Sequence, residues 1–368
     1  MIKNTDVFII GGGPAGLACA IAARRRGLDV VIADGAEPPI DKACGEGLMP
    51  ATLAALRDLG IEIDAAEGFA FRGIRFLSGA HCAEGDFPGG QGLGLRRIAL
   101  HQKLIERAQE LGVRFLWKTP VAGLCPAGAI VRQQVISARW IVGADGIRSR
   151  VRRWSGLQGS NVERRRYACR RHYRIAPWTN CVEVYWGGGV QAYVTPVGTS
   201  DVCVVLVSRD PRVSFASLED QFPELHHRVA GRSVLGTERG AVTTTRRLES
   251  VYRGNVALIG DASGSVDAIT GEGLCLSFRQ AASLANALFE GDLSRYQGAH
   301  ATLSRQPGIM ARLLLLLDRH PALRRRVVRT LSTHPELFSR LLAMHAGASS
   351  PAHVLSTGTL LGWRLVTA

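Results

Sequence analysis

The chain has 368 residues, carries a formal charge of +14 with a pI near 10.0, and is 46% hydrophobic and 21% charged. That length and balance belong to a folded protein with room for two domains and a large core, and no low-complexity tract or internal repeat interrupts it. The basic residues fall in separate clusters, at positions 24–26, 148–153, 164–171 and 324–329, without the interleaved aromatics that stack bases, which excludes nucleic acid as an expected partner. A solvated basic surface and a face turned to an anionic membrane both remain open.

In chain order, the first signal is an apolar strand, Asp6 to Ile10, running straight into Gly-x-Gly-x-x-Gly at Gly11, Gly13 and Gly16. A helix from Pro14 to Arg26 follows, then a second apolar strand, Val30 to Ala33, that ends at Asp34, 18 residues after Gly16. Strand, glycine turn, helix, strand and acid together make a dinucleotide-binding pattern, far more specific than the glycines alone. Gly11 permits the tight turn, Gly13 lets the backbone approach a pyrophosphate, Gly16 lets helix and strand pack closely, and Pro14 suits the first helical turn. Asp34 is then expected on a ribose hydroxyl. The uncharged run from Val7 to Ala23 has the look of a leader or membrane span, but three consecutive glycines and Pro14 interrupt it and Arg24 to Arg26 follow rather than precede it.

Asp41 to Gly47 is a glycine-containing loop suited to running beside a flat ligand, and it leads into a helix carrying Leu53, Leu56 and Leu59. Phe71 to Leu77 alternates as one strand. Residues 98–111 show a helical stripe, and Val113 to Trp117 returns as a strand. Two further strands end at acids, Trp140 to Asp145 and Val256 to Asp261, the second followed by a helix from Gly273 to Phe289. Between them, residues 167–207 alternate without crossover helices, which predicts an antiparallel sheet. Gly187, Gly189 and Ala192 match the dinucleotide pattern nominally, but strand residues follow, so they read as a hairpin. From about Tyr296 the chain is helical, with arginines alternating with leucine and valine. Eight cysteines include no Cys-x-x-Cys and no metal-type pairing with histidine, so no metal is expected and most thiols belong buried in a reducing cytoplasm.

The N-terminal glycine fingerprint, Ala144-Asp145-Gly146 and Gly260-Asp261-Ala262, at these separations, resemble the flavoprotein hydroxylase superfamily, which includes aromatic hydroxylases, halogenases and geranylgeranyl reductases. The resemblance implies an α/β fold: a Rossmann-like FAD-binding domain (residues 1–70, 96–160 and 246–295), an antiparallel β-sheet substrate domain (71–95 and 161–245) and a C-terminal helical segment (296–368). It implies FAD held by Gly11, Gly13, Pro14, Ala15, Gly16, Asp34, Lys42, Arg97, Val121, Asp145, Gly260, Asp261, Gly271, Gly273 and Leu274, with NAD(P)H as reductant. Arg97 would reach the phosphates, with Arg96 as its substitute. Asp145 has a second reading as a helix cap or turn former.

Aromatic hydroxylases place a histidine and a proline after the Gly-Asp pair, where this chain has Ser263, Gly264 and Ala268. The halogenase Trp-x-Trp-x-Ile-Pro is missing. Lys42 to Gly47 and Asp267 to Gly273 look closer to geranylgeranyl reductases and to hydroxylase-like enzymes of lipid or polyketide pathways. The resemblance implies first an FAD-dependent monooxygenase acting on an apolar aromatic or polyketide-derived molecule with NAD(P)H and oxygen. Its rival is an FAD-dependent reductase of carbon–carbon double bonds, and a flavin-bearing module without catalysis is a third reading. Cys44, Glu46 and Glu272 are the catalytic candidates, each with a plain structural alternative. Arg171, Glu183, Tyr185, Trp186, Tyr193 and Thr195 are the substrate-binding candidates, though period two alone cannot say which face of their sheet turns inward. The expected location is cytoplasmic, with peripheral contact to an anionic membrane as a further expectation.

Overall fold

The computed structural model describes residues 2–159 and 164–345, together with Thr357 and Leu360. Its first unit is β1 (Asn4–Ile10), α1 (Pro14–Arg24) and β2 (Val30–Ala33). Val7 to Ile10 are buried on both faces, as a central parallel strand must be. Alternation then divides the sheet between two cores. Val7, Ile9, Val30 and Ile32 face α1 and the Gly273–Glu290 helix, while Phe8, Ile10, Val31 and Ala33 face Val131, Ile136 and Leu258. The sheet runs in the order Tyr252–Arg253, Val256–Leu258, Gln134–Gly143, β1, β2, Arg114–Leu116, parallel throughout except at its first pair. A hairpin that the sequence pattern left unread, Val121–Cys125 and Gly128–Val131, is joined to it through Gln134–Gly143.

A second, seven-stranded sheet roofs the first domain in the order Val234–Thr245, Arg164–Arg174, Asp201–Ser208, Val190–Pro196, Cys181–Trp186, Gly73–Ser78, His81–Asp86. Its neighbours are antiparallel with one departure: Cys181–Trp186 pairs in parallel with Gly73–Ser78, and between those two strands the chain builds the Arg97–Glu110 helix and the Arg114–Leu116 and Gln134–Gly143 strands of the first domain. The single strand expected over Phe71 to Leu77 is in fact two. Phe69–Phe71 joins a small sheet with Gly92–Gly94 and Gly47–Leu48, and Gly73–Ser78 joins the roof. The switch sits at Gly73, where any Cβ would lie 2.0 Å from the Gly85 carbonyl. The expected hairpin at residues 187–189 is present, linking Cys181–Trp186 to Val190–Pro196.

The tail forms three helices, Leu293–Arg319, Pro321–Thr333 and Pro335–His345. Val327, Val328, Leu331, Leu337 and Phe338 close a core with Phe71, Ala83 and Phe87, and so fix the tail against the roof. No described helix is long and apolar enough to cross a membrane.

Candidate functional site

One cavity of about 840 Å³ runs from the glycine turn beneath the roof to the tail helices. At its first end stands the start of α1. Gly13 occupies the N-cap with no side-chain cap, Pro14 follows in the first turn, and no acid offsets the positive end of the helix. Gly11, Gly13, Pro14 and Ala15 all line the cavity. The glycines are required for different reasons. A Cβ on Gly11 would lie 2.4 Å from the Ala144 carbonyl, and one on Gly16 would lie 1.9 Å from the Gly11 carbonyl. One on Gly13 meets nothing within 4 Å, so the protein itself does not need that glycine, and the space it leaves belongs to the cavity. Gly12, which the pattern does not weigh, is held against the Trp117 ring, where a Cβ would come within 2.3 Å.

The acids are placed by backbone amides. Asp34 Oδ2 accepts from Gly12 N and Oδ1 from Ala36 N, both at 2.7 Å, and its carboxylate retains accepting capacity on the cavity wall. Asp145 accepts from the Ser149 hydroxyl and from the amides of Arg150 (2.6 Å) and Val151 (3.1 Å), which is the capping role given as its second reading, although it also lines the cavity. Asp261 stands 3.5 Å from Lys42 Nζ, both half-exposed on the cavity wall. Val121, Gly271, Gly273, Leu274 and Arg97 line it too, whereas Gly16 and Gly260 stand behind it and shape the turns.

Glu46 is an anchor in this structure. It is buried at φ 58°, a conformation disfavoured for a side chain with a Cβ, and four groups hold it. Oε1 accepts from Arg97 N at 2.9 Å and from Arg170 Nη1 at 3.2 Å, Oε2 pairs with His172 Nε2 at 2.6 Å, and its own amide points to Cys44 Sγ at 3.5 Å. Arg170 also binds both oxygens of Asp41, at 2.8 and 2.9 Å. Residues 41–46 are thereby clamped beneath the roof, with Cys44 on the cavity wall. Glu46, His172 and Cys203 lie within the reach of a single metal ion, but the Arg170 cation already compensates Glu46 and the Glu46–His172 hydrogen bond closes the trio.

The roof's inward face carries Val182, Val184, Trp186, Tyr193, Thr195, Val205 and Val207. Three candidates lie on the opposite face. Arg171 pairs with Glu238 and stacks over Phe215, Glu183 takes bonds from Arg75, Trp178 and Tyr185, and Tyr185 packs against Phe222. They are excluded because successive strand residues alternate: Arg170, Val182 and Val184 take the inner places. Glu272 is likewise off the cavity wall. It sits just before the Gly273–Glu290 helix, and burial lifts its carboxyl to about 8.

Residues 4–171 match the family model described as an FAD binding domain. The chain is 30% identical over 296 residues to digeranylgeranylglycerophospholipid reductase 1 of Methanopyrus kandleri, covering 73% of this chain and 76% of that protein. The chain belongs to the FAD-dependent flavoprotein hydroxylase and geranylgeranyl reductase-like superfamily. It is also 27% identical to the menaquinone reductase of Mycobacterium tuberculosis over 322 residues, 79% of this chain and 78% of that one. The crystal structure of a flavoprotein/dehydrogenase from Cytophaga hutchinsonii superposes with a TM-score of 0.85 at 17% identity, covering 99% of this chain and all of that one, and so shares the fold.

The cavity wall fits FAD on observations independent of that kinship. The open space over Gly13 suits a pyrophosphate at a helix N-terminus, and Arg97, on the same wall, has a buried Nε with no partner among the described residues, as a phosphate ligand requires. His101 escaped the sequence reading. Fully buried, it bonds Gly12 O at 2.8 Å through Nε2 and accepts from Ile40 N through Nδ1, so it is neutral and ties the glycine turn to the loop at 40. Burial lowers its pKa accordingly.

His300 supports the far side of the site. Its Nε2 meets Ser263 Oγ at 2.9 Å, and Ser263 in turn bonds Gly260 O at 2.8 Å, bracing the turn that carries Asp261. Burial lowers the His300 pKa to about 4. The unfolded chain therefore takes up a proton near pH 6.5 that the folded chain refuses until about 4, so this residue makes stability fall as pH drops through that window, by up to about 3 kcal/mol. Glu272, raised to about 8, acts in the opposite sense over an overlapping range. These two contributions offset one another, so urea midpoints of the parent alone do not isolate His300, whereas the difference between the parent and His300→Gln should shrink steadily from pH 7 to pH 4.5. A pH-independent difference would remove His300 from the balance.

Proposed function

We propose that this FAD-dependent oxidoreductase is a reductase that saturates carbon–carbon double bonds in a long apolar molecule of isoprenoid type, with NAD(P)H as the source of electrons. The observation that carries the reading is the cavity's far end. Beyond the flavin groove its wall is Phe71, Phe76, Val184, Trp186, Leu314 and Leu317, drawn from roof and tail together. Such a wall accepts a hydrocarbon chain and gives a polar aromatic ring few partners, since Tyr193 donates its hydroxyl to Gln191 at 3.0 Å and the nearby carboxylates are paired. The names of the two relatives, a menaquinone reductase and a digeranylgeranylglycerophospholipid reductase, support the same reading.

When bound and reduced, FAD supplies the electron pair and one hydrogen. The chain's own residues supply the rest. The leucines of the tail exclude water, and the clamped loop at 41–46 presents Cys44 on the wall. Its Sγ accepts from the Glu46 amide, a bond that leaves the S–H proton unused, and that proton can pass to the second carbon and be regained from water. We expect chemically reduced holoprotein, without oxygen, to add two hydrogens to a polyprenyl quinone or geranylgeranyl lipid, read by mass. Cys44→Ala should keep its FAD and lose about a hundredfold in rate. A product carrying oxygen, formed only in air, would overturn the reading in favour of the oxygen insertion that the sequence puts first.

A further inference from the structure

The outer surface of the Leu293–Arg319 helix is ordered in stripes. Arg305, Arg312 and Arg319, seven residues apart, are all exposed and lie along one line of the helix. Beside them run Ile309, Leu316 and Leu313, which are 49%, 44% and 49% exposed although apolar. One step further round come Leu317, Met310 and Leu314, all on the cavity wall. Leu313 and Leu316 belong to both surfaces, open to the exterior and lining the cavity, so they mark its mouth. From 294 to 345 the sequence holds nine arginines against two acids, Asp318 and Glu336, and Asp318 is buried.

An apolar band edged by arginines is the pattern of a helix lying in a membrane interface, with the aliphatic side chains in the acyl boundary and the guanidinium groups on anionic headgroups. A second protein copy would have to match a strongly basic rim with acids that this face lacks. We propose that this face docks on an anionic phospholipid bilayer and that the mouth at Leu313 and Leu316 opens into it. Docking stands apart from the reading of the reaction. Only the conclusion that substrate enters from lipid rests on that reading.

The test is co-sedimentation of the FAD-loaded full chain with phosphatidylcholine vesicles and with the same vesicles containing phosphatidylglycerol, at about 0.05 M and about 0.5 M salt. Binding should require the anionic lipid and fade at the higher salt. Each surface arginine contributes about fivefold, so Arg305→Gln, Arg312→Gln and Arg319→Gln together should weaken it about a hundredfold. Ile309→Gln with Leu316→Gln should weaken it about tenfold or more. All five positions are exposed, and retained flavin absorbance verifies folding. Arg25→Gln, Arg57→Gln and Arg212→Gln, exposed on other elements, should leave binding unchanged. Equal binding to both vesicles, none to either, or equal loss in the control triple would overturn the proposal. So would a lipid-free dimer that Ile309→Gln with Leu316→Gln dissociates, which would give the face to a second copy. No turnover is read, so failure of the proposed reaction leaves this result intact.

Discussion

Gly13→Val should yield a folded, colourless protein. The backbone at Gly13 has φ −74° and ψ 177°, open to any residue, and its missing Cβ faces empty space, so the substitution leaves the fold's own contacts intact and costs at most about 1 kcal/mol as a change of helix cap. What valine fills is the place where the pyrophosphate meets the amides at the start of α1. FAD affinity should fall more than about a hundredfold, since both the charge-assisted contacts and the close approach are lost. Its neighbours should behave differently. Gly11→Val puts a branched side chain at φ 116° against the Ala144 carbonyl, and Gly16→Val drives one into the Gly11 carbonyl, so both should lose soluble protein along with flavin. Flavin absorbance and far-ultraviolet circular dichroism separate the cases. A Gly13→Val chain that is purified with full FAD would remove this turn from the cofactor site.

The unit from β1 to Asp34 was legible because everything that makes it is local: an apolar strand, glycines where backbones touch, and an acid at the next strand's end. The tail helices were legible for the same reason. The roof was legible as a sheet but not as a surface. In a sheet with one wet face, period two reveals the inner side, yet here helices from Leu218 to Val229 cover the outer face, so both faces are apolar and the contrast vanishes. Arg171, Glu183 and Tyr185 therefore looked as eligible as Trp186, Tyr193 and Thr195. For Glu46 the sequence left acid–base work and the fixing of its loop both open, because its partners, Arg170 and His172, lie 124 and 126 residues away. The signal that did exist is the basic strand itself. Arg166 and Arg170 are four apart in Arg164–Arg174 and so share a face, and two inward arginines beneath a roof require acids from below.

Those acids divide the task. Arg170 holds the loop at 41–46, and Arg166 holds the loop at 267–271 through Asp267, 3.1 Å away, with both side chains only 2% exposed. Asp267 also accepts from the Ile269 amide at 3.0 Å and caps the short turn that delivers Gly271 and Gly273 to the cavity. From Arg166 the chain of bonds continues to Gln191 at 3.0 Å, on to Asp318 of the first tail helix at 3.3 Å, and ends in an ion pair with Arg209. Asp267→Ala strands the Arg166 cation in the interior, so we expect a stability loss of about 3 to 5 kcal/mol in urea midpoints, with weaker FAD retention as the turn loosens. Asp267→Asn keeps the cap and the shape but not the charge, and should recover only part of the loss. Arg166→Met combined with Asp267→Leu removes both charges and should be more stable than Asp267→Ala alone, because an apolar pair replaces an uncompensated cation. If Asp267→Ala unfolds within about 1 kcal/mol of the parent and holds FAD as tightly, the pair does not fasten the loop to the roof, and the reading of the strand's arginines as two separate clamps falls with it.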